Sequence, residues 1–255
     1  MAKGKKKSFS RRTKRTPHAP DELGGFADGG LAILSEEEGA RPLHITPSRV
    51  ASALRYFLAR VELHSTDGLP SRLALTSALA GEGVTFVARS LASVIAYDTE
   101  SSVVVVDVNW RRPTPPKEGE VRPLGLADAV DGAVPLSDII RRTANPRLSL
   151  IDAGEVAVAR RPALAGSNAL ATVLEDLEGQ FDHLLLDLPP VLATSEAMNL
   201  SQFADSYALV VRQGATSENQ VEAALEEMQG GLVLGVILNR FDSQIPIRLR
   251  RLVGI

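Results

Sequence analysis

From residue 71 onward the chain alternates short, continuously apolar runs with stretches of helical periodicity. The runs "RLALTS" (72–77), "SVVVVD" (102–107), "RLSLID" (147–152), "HLLLD" (183–187), "YALVV" (207–211) and "LVLGVIL" (232–238) predict strands. They are apolar without a break rather than on alternate positions, so both faces of each strand are expected to be buried, as in a parallel sheet covered by helices. Helices are predicted near 84–97, 124–131, 136–142, 163–178, 194–202 and 217–229, the last opening on a Ser217–Gln220 capping box. Upstream, "TPSRVASALRYFLARVEL" predicts one more, with Thr46 as cap, Pro47 at the first position, and Val50, Ala53/Leu54, Phe57/Leu58 and Val61 at helical spacing. The fold class that follows is one doubly wound α/β domain over residues 46–242, a mostly parallel sheet flanked by helices. In such sheets ligands bind beyond the carboxyl ends of the strands.

Composition changes the picture mainly at the two ends of the chain. Residues 1–45 are Lys/Arg-rich, then Gly- and Glu-rich, and predict a disordered arm; "LAIL" (31–34) is its one apolar interruption and a candidate for docking on the body. Residues 1–16 hold eight of the 28 Lys/Arg and no acid, which leaves 20 basic against 31 acidic residues, a net charge of -11, for the rest. Such an arm has the charge for anionic lipid or nucleic acid, and a solvated tail serves the same composition equally well. The acidic body argues against a specific nucleic-acid ligand. At the other end, residues 243–255 form a basic amphipathic tail in which Arg248, Arg250 and Arg251 alternate with Ile247, Leu249, Leu252 and Val253. The tail suits a membrane or partner contact, or a frayed end. The absence of cysteine excludes disulfides and thiol catalysis, and the four scattered histidines offer no metal cluster. With neither a membrane-length apolar run nor a leader-like N-terminus, the expectation is a cytoplasmic protein, peripheral at the inner face of the plasma membrane if the arm meets lipid.

Three strand ends carry polar signals. After the run 72–77 comes "SALAGEGVT", in which Gly81 and Gly83 permit a sharp turn into a helix and Thr85 offers a hydroxyl. Backbone N–H groups of such a turn, with the helix N-terminus behind them, attract an anion. A phosphate-binding loop places lysine after the second glycine, where this chain has Val84, and a ligand-free Gly-rich turn accounts for the stretch equally well. In "VVVVDVNWRRP", Asp107 leaves a buried strand, a costly position unless it holds a cation or hydrogen bonds. Arg111 and Arg112 follow it and suit phosphate; a loop cap is the simpler account of Asp107 alone. "HLLLDLPP" ends another strand on Asp187 in the general form of a Walker B motif. The three signals lie in the order and on the strand ends that one nucleotide site requires.

Together these stretches resemble the kinase domain of bacterial tyrosine kinases of capsule and exopolysaccharide synthesis, relatives of the MinD/ParA group of P-loop ATPases. That family reads "S-x-x-P-G-E-G-K-S", "(V/I)DxDxRRP" and "IIDTPP" where this chain reads "SALAGEGVT", "VVDVNWRRP" and "LLDLPP". The similarity runs on through "GLADAVDG" (125–132), "ALVVRQGATSENQV" (208–221) and "VLGVILNRFD" (233–242), so it spans about residues 48–242. The resemblance implies ATP or ADP with magnesium as ligands. Thr85, Asp107 and Asp187 are then the metal-side residues, Asp107 and Asp187 the catalytic acids, and Gly81, Glu82, Gly83, Thr85, Arg111 and Arg112 the phosphate side. Arg212 and Asn239 are implied at the adenine end, where Asn239 is otherwise read as a strand-end bond to a turn.

The chain departs from the family where chemistry is concentrated. Val84 replaces the phosphate-binding lysine, Phe86 a small polar residue, and Asn109 the second Asp of "DxD". An amide cannot take a proton from a tyrosine hydroxyl. The oligomerisation motif "E-x-x-R-x-x-R" reads Ser52, Arg55, Leu58, and in place of a tyrosine-rich tail the chain's only tyrosines are Tyr56, Tyr97 and Tyr207. The expected function is therefore a degenerate kinase-like protein with weak or no nucleotide binding, regulatory or scaffolding in polysaccharide synthesis or export. Its expected partner is a membrane-embedded chain-length regulator, a kinase paralogue or a second copy of itself. Two alternatives stand beside it: an active kinase or ATPase in which Arg111 or Arg112 supplies the missing charge, and a MinD/ParA-like positioning ATPase that uses the basic arm.

Overall fold

The structure is a computed structural model that describes residues 20–37, 41–65, 68–111, 123–228 and 231–240. Its strands are β1 (Leu31–Ile33), β2 (His44–Thr46), β3 (Arg72–Ser77), β4 (Val103–Asp107), β5 (Arg141–Arg142), β6 (Leu148–Ile151), β7 (His183–Asp187), β8 (Ser206–Arg212) and β9 (Leu232–Asn239). The helices are α1 (Ser48–His64), α2 (Val84–Asp98), α3 (Leu126–Val130), α4 (Arg161–Ala165), α5 (Asn168–Glu178), α6 (Ser195–Ser201) and α7 (Glu218–Glu227).

All of the predicted strands form, and they join one seven-stranded sheet in the order β5-β6-β4-β7-β3-β8-β9. Every pairing in it is parallel except β5 with β6. The continuously apolar runs make sense once their alternate positions are sorted. Leu73, Leu75, Val103, Val105, Leu150, Leu185 and Val210 face the layer of α1 and α2. Ala74, Val104, Val106, Leu184, Leu186 and Leu209 face the layer of α3 to α7. Each Val or Leu among them contributes about 1.5–3 kcal/mol by leaving water, and these two cores hold the strand ends in a fixed line.

Three expectations differ from the structure. Residues 136–142 form a short 3-10 turn at Leu136–Asp138 and then β5, because the outer edge of β6 has open backbone groups that Arg141 and Arg142 pair with. The helix expected over 163–178 breaks at Gly166, and Ser167 starts α5 by accepting a hydrogen bond from the Leu170 amide at 3.1 Å. The third difference lies in the segment read as disordered. β1 and β2 pair antiparallel, and Leu31 and Ile33 are buried against the α1/α2 layer. The body thus reaches upstream of residue 46, and "LAIL" does dock. The reason is α2 itself, which is apolar on nearly every side; the sheet covers one face, and β1, β2 and α1 cover others. Thr46 is consequently a strand residue rather than a helix cap, and Pro47 takes the cap position. The basic arm (1–16) and the tail (243–255) lie outside the described residues. Among the described residues no helix is long and apolar enough to cross a membrane.

Candidate functional site

The sheet order places the motif-bearing strands side by side. β3 runs into the loop Ala78–Gly83 and then α2; its neighbour β7 ends on Asp187, and β4 beyond ends on Asp107, directly opposite Asp187 in the register. Asp152 follows the end of β6, next in line. An open cleft of about 700 Å³ lies above them, walled by the loop, by Thr85 and Arg89 of α2, by Asp107 and Asn109, and by Arg111 and Arg240 at the rim. Arg112 lies outside the described residues.

The loop is held in shape from behind. Gly81 and Gly83 have φ of 87° and 95°, left-handed conformations open to glycine. Glu82 between them is 2% exposed. One of its carboxylate oxygens accepts the Leu79 amide at 2.8 Å; the other accepts the Arg212 amide at 3.2 Å and the Thr216 hydroxyl. The Asn239 side-chain amide donates to the Glu82 carbonyl at 2.7 Å, and a Cβ on Gly83 would collide with it. The Asn239 side chain and the Arg212 backbone amide, of two residues expected near the base, are thus engaged behind the loop. Asn239 makes the strand-end bond to a turn that was its simpler reading, and the cleft wall takes Arg240 instead. These bonds join the loop to β8, β9 and the turn before α7, so its geometry is built into the sheet.

Electrostatically the cleft is uneven. Asp187 is 1% exposed, and neither of its carboxylate oxygens has a well-formed hydrogen bond. Burial pushes its pKa up, tempered by the Thr85 hydroxyl and the Arg89 charge. Asp107 keeps part of its surface in the cleft; desolvation and the Asp187 charge raise its pKa, while the Asn109 amide, which it accepts at 2.8 Å, and Arg89 lower it. Neighbouring acids oppose each other's ionisation, and a cation between them relieves that cost. A buried, unsatisfied carboxylate beside a second one and a loop hydroxyl is an all-oxygen donor set, which suits magnesium. Magnesium completes its shell with water and substrate phosphates rather than an all-protein cage. Among the described residues no group of three or more His, Cys, Asp or Glu is placed to hold a metal ion.

On the loop side the charge is missing. Val84 is buried within the apolar cluster of the α1/α2 layer even as it borders the cleft. Phe86 turns the same way and packs edge-on against the His44 ring, centroids 5.1 Å apart. His44 shares a hydrogen bond with the Ser90 hydroxyl at 2.9 Å, and burial with the nearby Arg89 charge lowers its pKa to about 4. The residue that sequence reasoning missed is Arg89. The signal was present, since between Val84 and Asp98 it is the only charged residue, four positions after Thr85 on one helix face.

Fold and cleft define a mostly parallel α/β architecture of the P-loop type, with a glycine turn, a strand-end acid pair and a helix N-terminus about the cleft and valine at position 84. No protein-family model matches the chain. The tyrosine-protein kinase CpsD of Streptococcus agalactiae is 30% identical over 213 residues, 80% of this chain and 91% of that protein. The tyrosine-protein kinase ptk of Acinetobacter johnsonii is 32% identical over 161 residues, 62% of this chain but only 22% of that much longer protein. Among solved structures, the VpsO kinase domain matches with TM-score 0.65 and 27% identity, covering 76% of this chain and 97% of that one. A cobyrinic acid a,c-diamide synthase from Mycobacterium smegmatis, solved with ADP and magnesium, shares the fold alone, at TM-score 0.57 and 18% identity over 73% of this chain and 80% of that one. The chain belongs to the bacterial tyrosine-protein kinase family of capsule and exopolysaccharide synthesis, with the mostly parallel sheet of its MinD/ParA-like P-loop fold.

Proposed function

We propose that the protein is a catalytically weakened member of this family that binds ADP or ATP weakly and acts as a regulatory or scaffolding partner in polysaccharide synthesis or export. The observation that carries this reading is Val84, buried in an apolar cluster at the family's lysine position while the buried acid pair remains in place. A nucleotide's phosphates would meet the Gly81–Thr85 turn and the α2 N-terminus, whose first turn holds no acidic residue. Thr85, Asp107 and Asp187 would hold magnesium, which when bound neutralises phosphate charge and keeps both acids ionised. Asn109 stands where the family has a carboxylate, and an amide there orients but takes no proton. Loss of the lysine's charge-assisted bond removes roughly 1.5–3 kcal/mol of phosphate affinity, about one to two decades.

The place of action is cytoplasmic, with residues 1–16 suited to anionic lipid, and the partner is a chain-length regulator in the membrane or an active kinase paralogue. A second reading keeps catalysis, with Arg111 supplying charge from the rim, and is favoured only by its place in the cleft wall. One experiment separates them: ATP turnover and tyrosine phosphorylation by the wild type against Asp187→Asn. Equal, background-level turnover in both supports the regulatory reading; turnover that depends on Asp187 overturns it.

A further inference from the structure

We propose that Arg89 is the cation with which this cleft grips a nucleotide's phosphates, taking over the charge that Val84 no longer supplies. The inference rests on the reading that the cleft binds nucleotide and names the residue responsible.

Position is the first support. Arg89 is one helical turn beyond Thr85 and lines the same cleft as Gly81, Gly83, Asp107 and Asn109. It is half-buried, with 25% of its side chain exposed. Its charge acts on Asp107, Asp187 and His44 alike. His44, the neighbouring base, is kept neutral and cannot share the task.

The second support is how loosely Arg89 is held. It faces Asp152 at 3.7 Å, too far for a hydrogen bond. Asp152 has another partner: Arg141 reaches the same carboxylate at 3.1 Å and 3.2 Å. Arg89 can therefore turn to an incoming phosphate without leaving Asp152 unpaired, and Arg141 remains as its counter-ion. A guanidinium also presents a planar fork of donors that matches two phosphate oxygens, which a lysine cannot do.

A purely structural Arg89 would serve only to neutralise the acids of the floor. Titration calorimetry on the full chain with ADP, pyrophosphate and adenosine as probes, with and without magnesium, tells the two roles apart. Arg89→Ala is expected to weaken ADP and pyrophosphate by roughly 10–100-fold, the loss of one charge-assisted contact, and to leave adenosine unchanged. Arg89→Lys should recover part of that loss, and Arg141→Ala, which breaks the other arm of the Asp152 pair outside the cleft, should change pyrophosphate affinity less than threefold. Thermal melting of each variant checks that it is folded, and Arg89→Lys and Arg89→Gln stand in if Arg89→Ala is not. Equal pyrophosphate affinity in wild type and Arg89→Ala, or a loss equally large in Arg141→Ala, overturns the assignment. A wild type that binds neither ADP nor pyrophosphate overturns the nucleotide reading itself, a separate and distinguishable result.

Discussion

The two walls of the cleft have been treated differently. On the acid side, Asp107 and Asp187 stand opposite one another at the ends of β4 and β7: Asp107 lines the cleft and accepts the Asn109 amide, while Asp187 is buried without a well-formed hydrogen bond. On the loop side, the shape is kept by Gly81, Gly83 and the Glu82 bonds, and the uncharged Val84 and Phe86 turn into apolar packing. The difference teaches that loop geometry and loop charge are separable. Geometry belongs to the sheet, through the Arg212 amide, Thr216 and Asn239; charge would come from a single side chain, and at position 84 that side chain is valine.

The largest effect should come from removing what holds the loop. Glu82→Ala strips acceptors from the Leu79 and Arg212 amides and the Thr216 hydroxyl, and is expected to cost roughly 3 kcal/mol in urea unfolding. A loss below about 0.5 kcal/mol, within the range of an ordinary surface change, would show that the loop keeps its shape without it. Next comes restoration of charge on a loop that is already shaped: Val84→Lys should tighten ADP binding by roughly 10–100-fold. An unchanged affinity would mean that the apolar cluster captures the new side chain, or that shape was lost along with charge.

The acid wall makes a pH prediction. Burial raises the folded-state pKa of Asp107 and Asp187, so above about pH 4 the folded chain holds more protons than the unfolded one at these two sites. Their contribution to stability is full below that point and is lost as pH rises through the raised values. Asp187→Asn should therefore stabilise the ligand-free protein at pH 7.5 by about 1–3 kcal/mol and flatten its stability between about pH 5 and 8, read from urea midpoints across that range. A destabilised Asp187→Asn would mean that the carboxylate has partners in the ligand-free fold. The smallest effect lies far from both walls: Tyr97 donates to Asp21 at 2.9 Å, and Tyr97→Phe should cost about 1 kcal/mol or less while leaving nucleotide affinity unchanged.

Much of this molecule was legible before folding. Six strands and their parallel, doubly covered character follow from runs such as "VVVVD" and "HLLLD", because a strand buried on both faces has no polar position to give away its register. The acids at strand ends, the glycine turn and the Ser217–Gln220 cap were equally local and could be read one stretch at a time. Short segments that depend on a distant neighbour were not. β5 exists because β6 has an open edge, and β1 is ordered because α2 has apolar surface left to cover. Neither fact is present in the residues concerned.

The site divides along the same line. Sequence alone determined which residue types stand at the strand ends and that lysine is absent at position 84, since those are matters of identity and spacing. Only the tertiary structure decided what each side chain does with its polar atoms. It turned the Asn239 amide to the back of the loop, left Asp187 without a well-formed bond, and brought Arg89 from the middle of an apolar helix into the lining of the cleft. The physical reason is that hydrogen bonds and charge pairs are made between elements far apart in the chain. Arg89 becomes meaningful only when β6, β4 and β7 bring Asp152, Asp107 and Asp187 into one row beneath it.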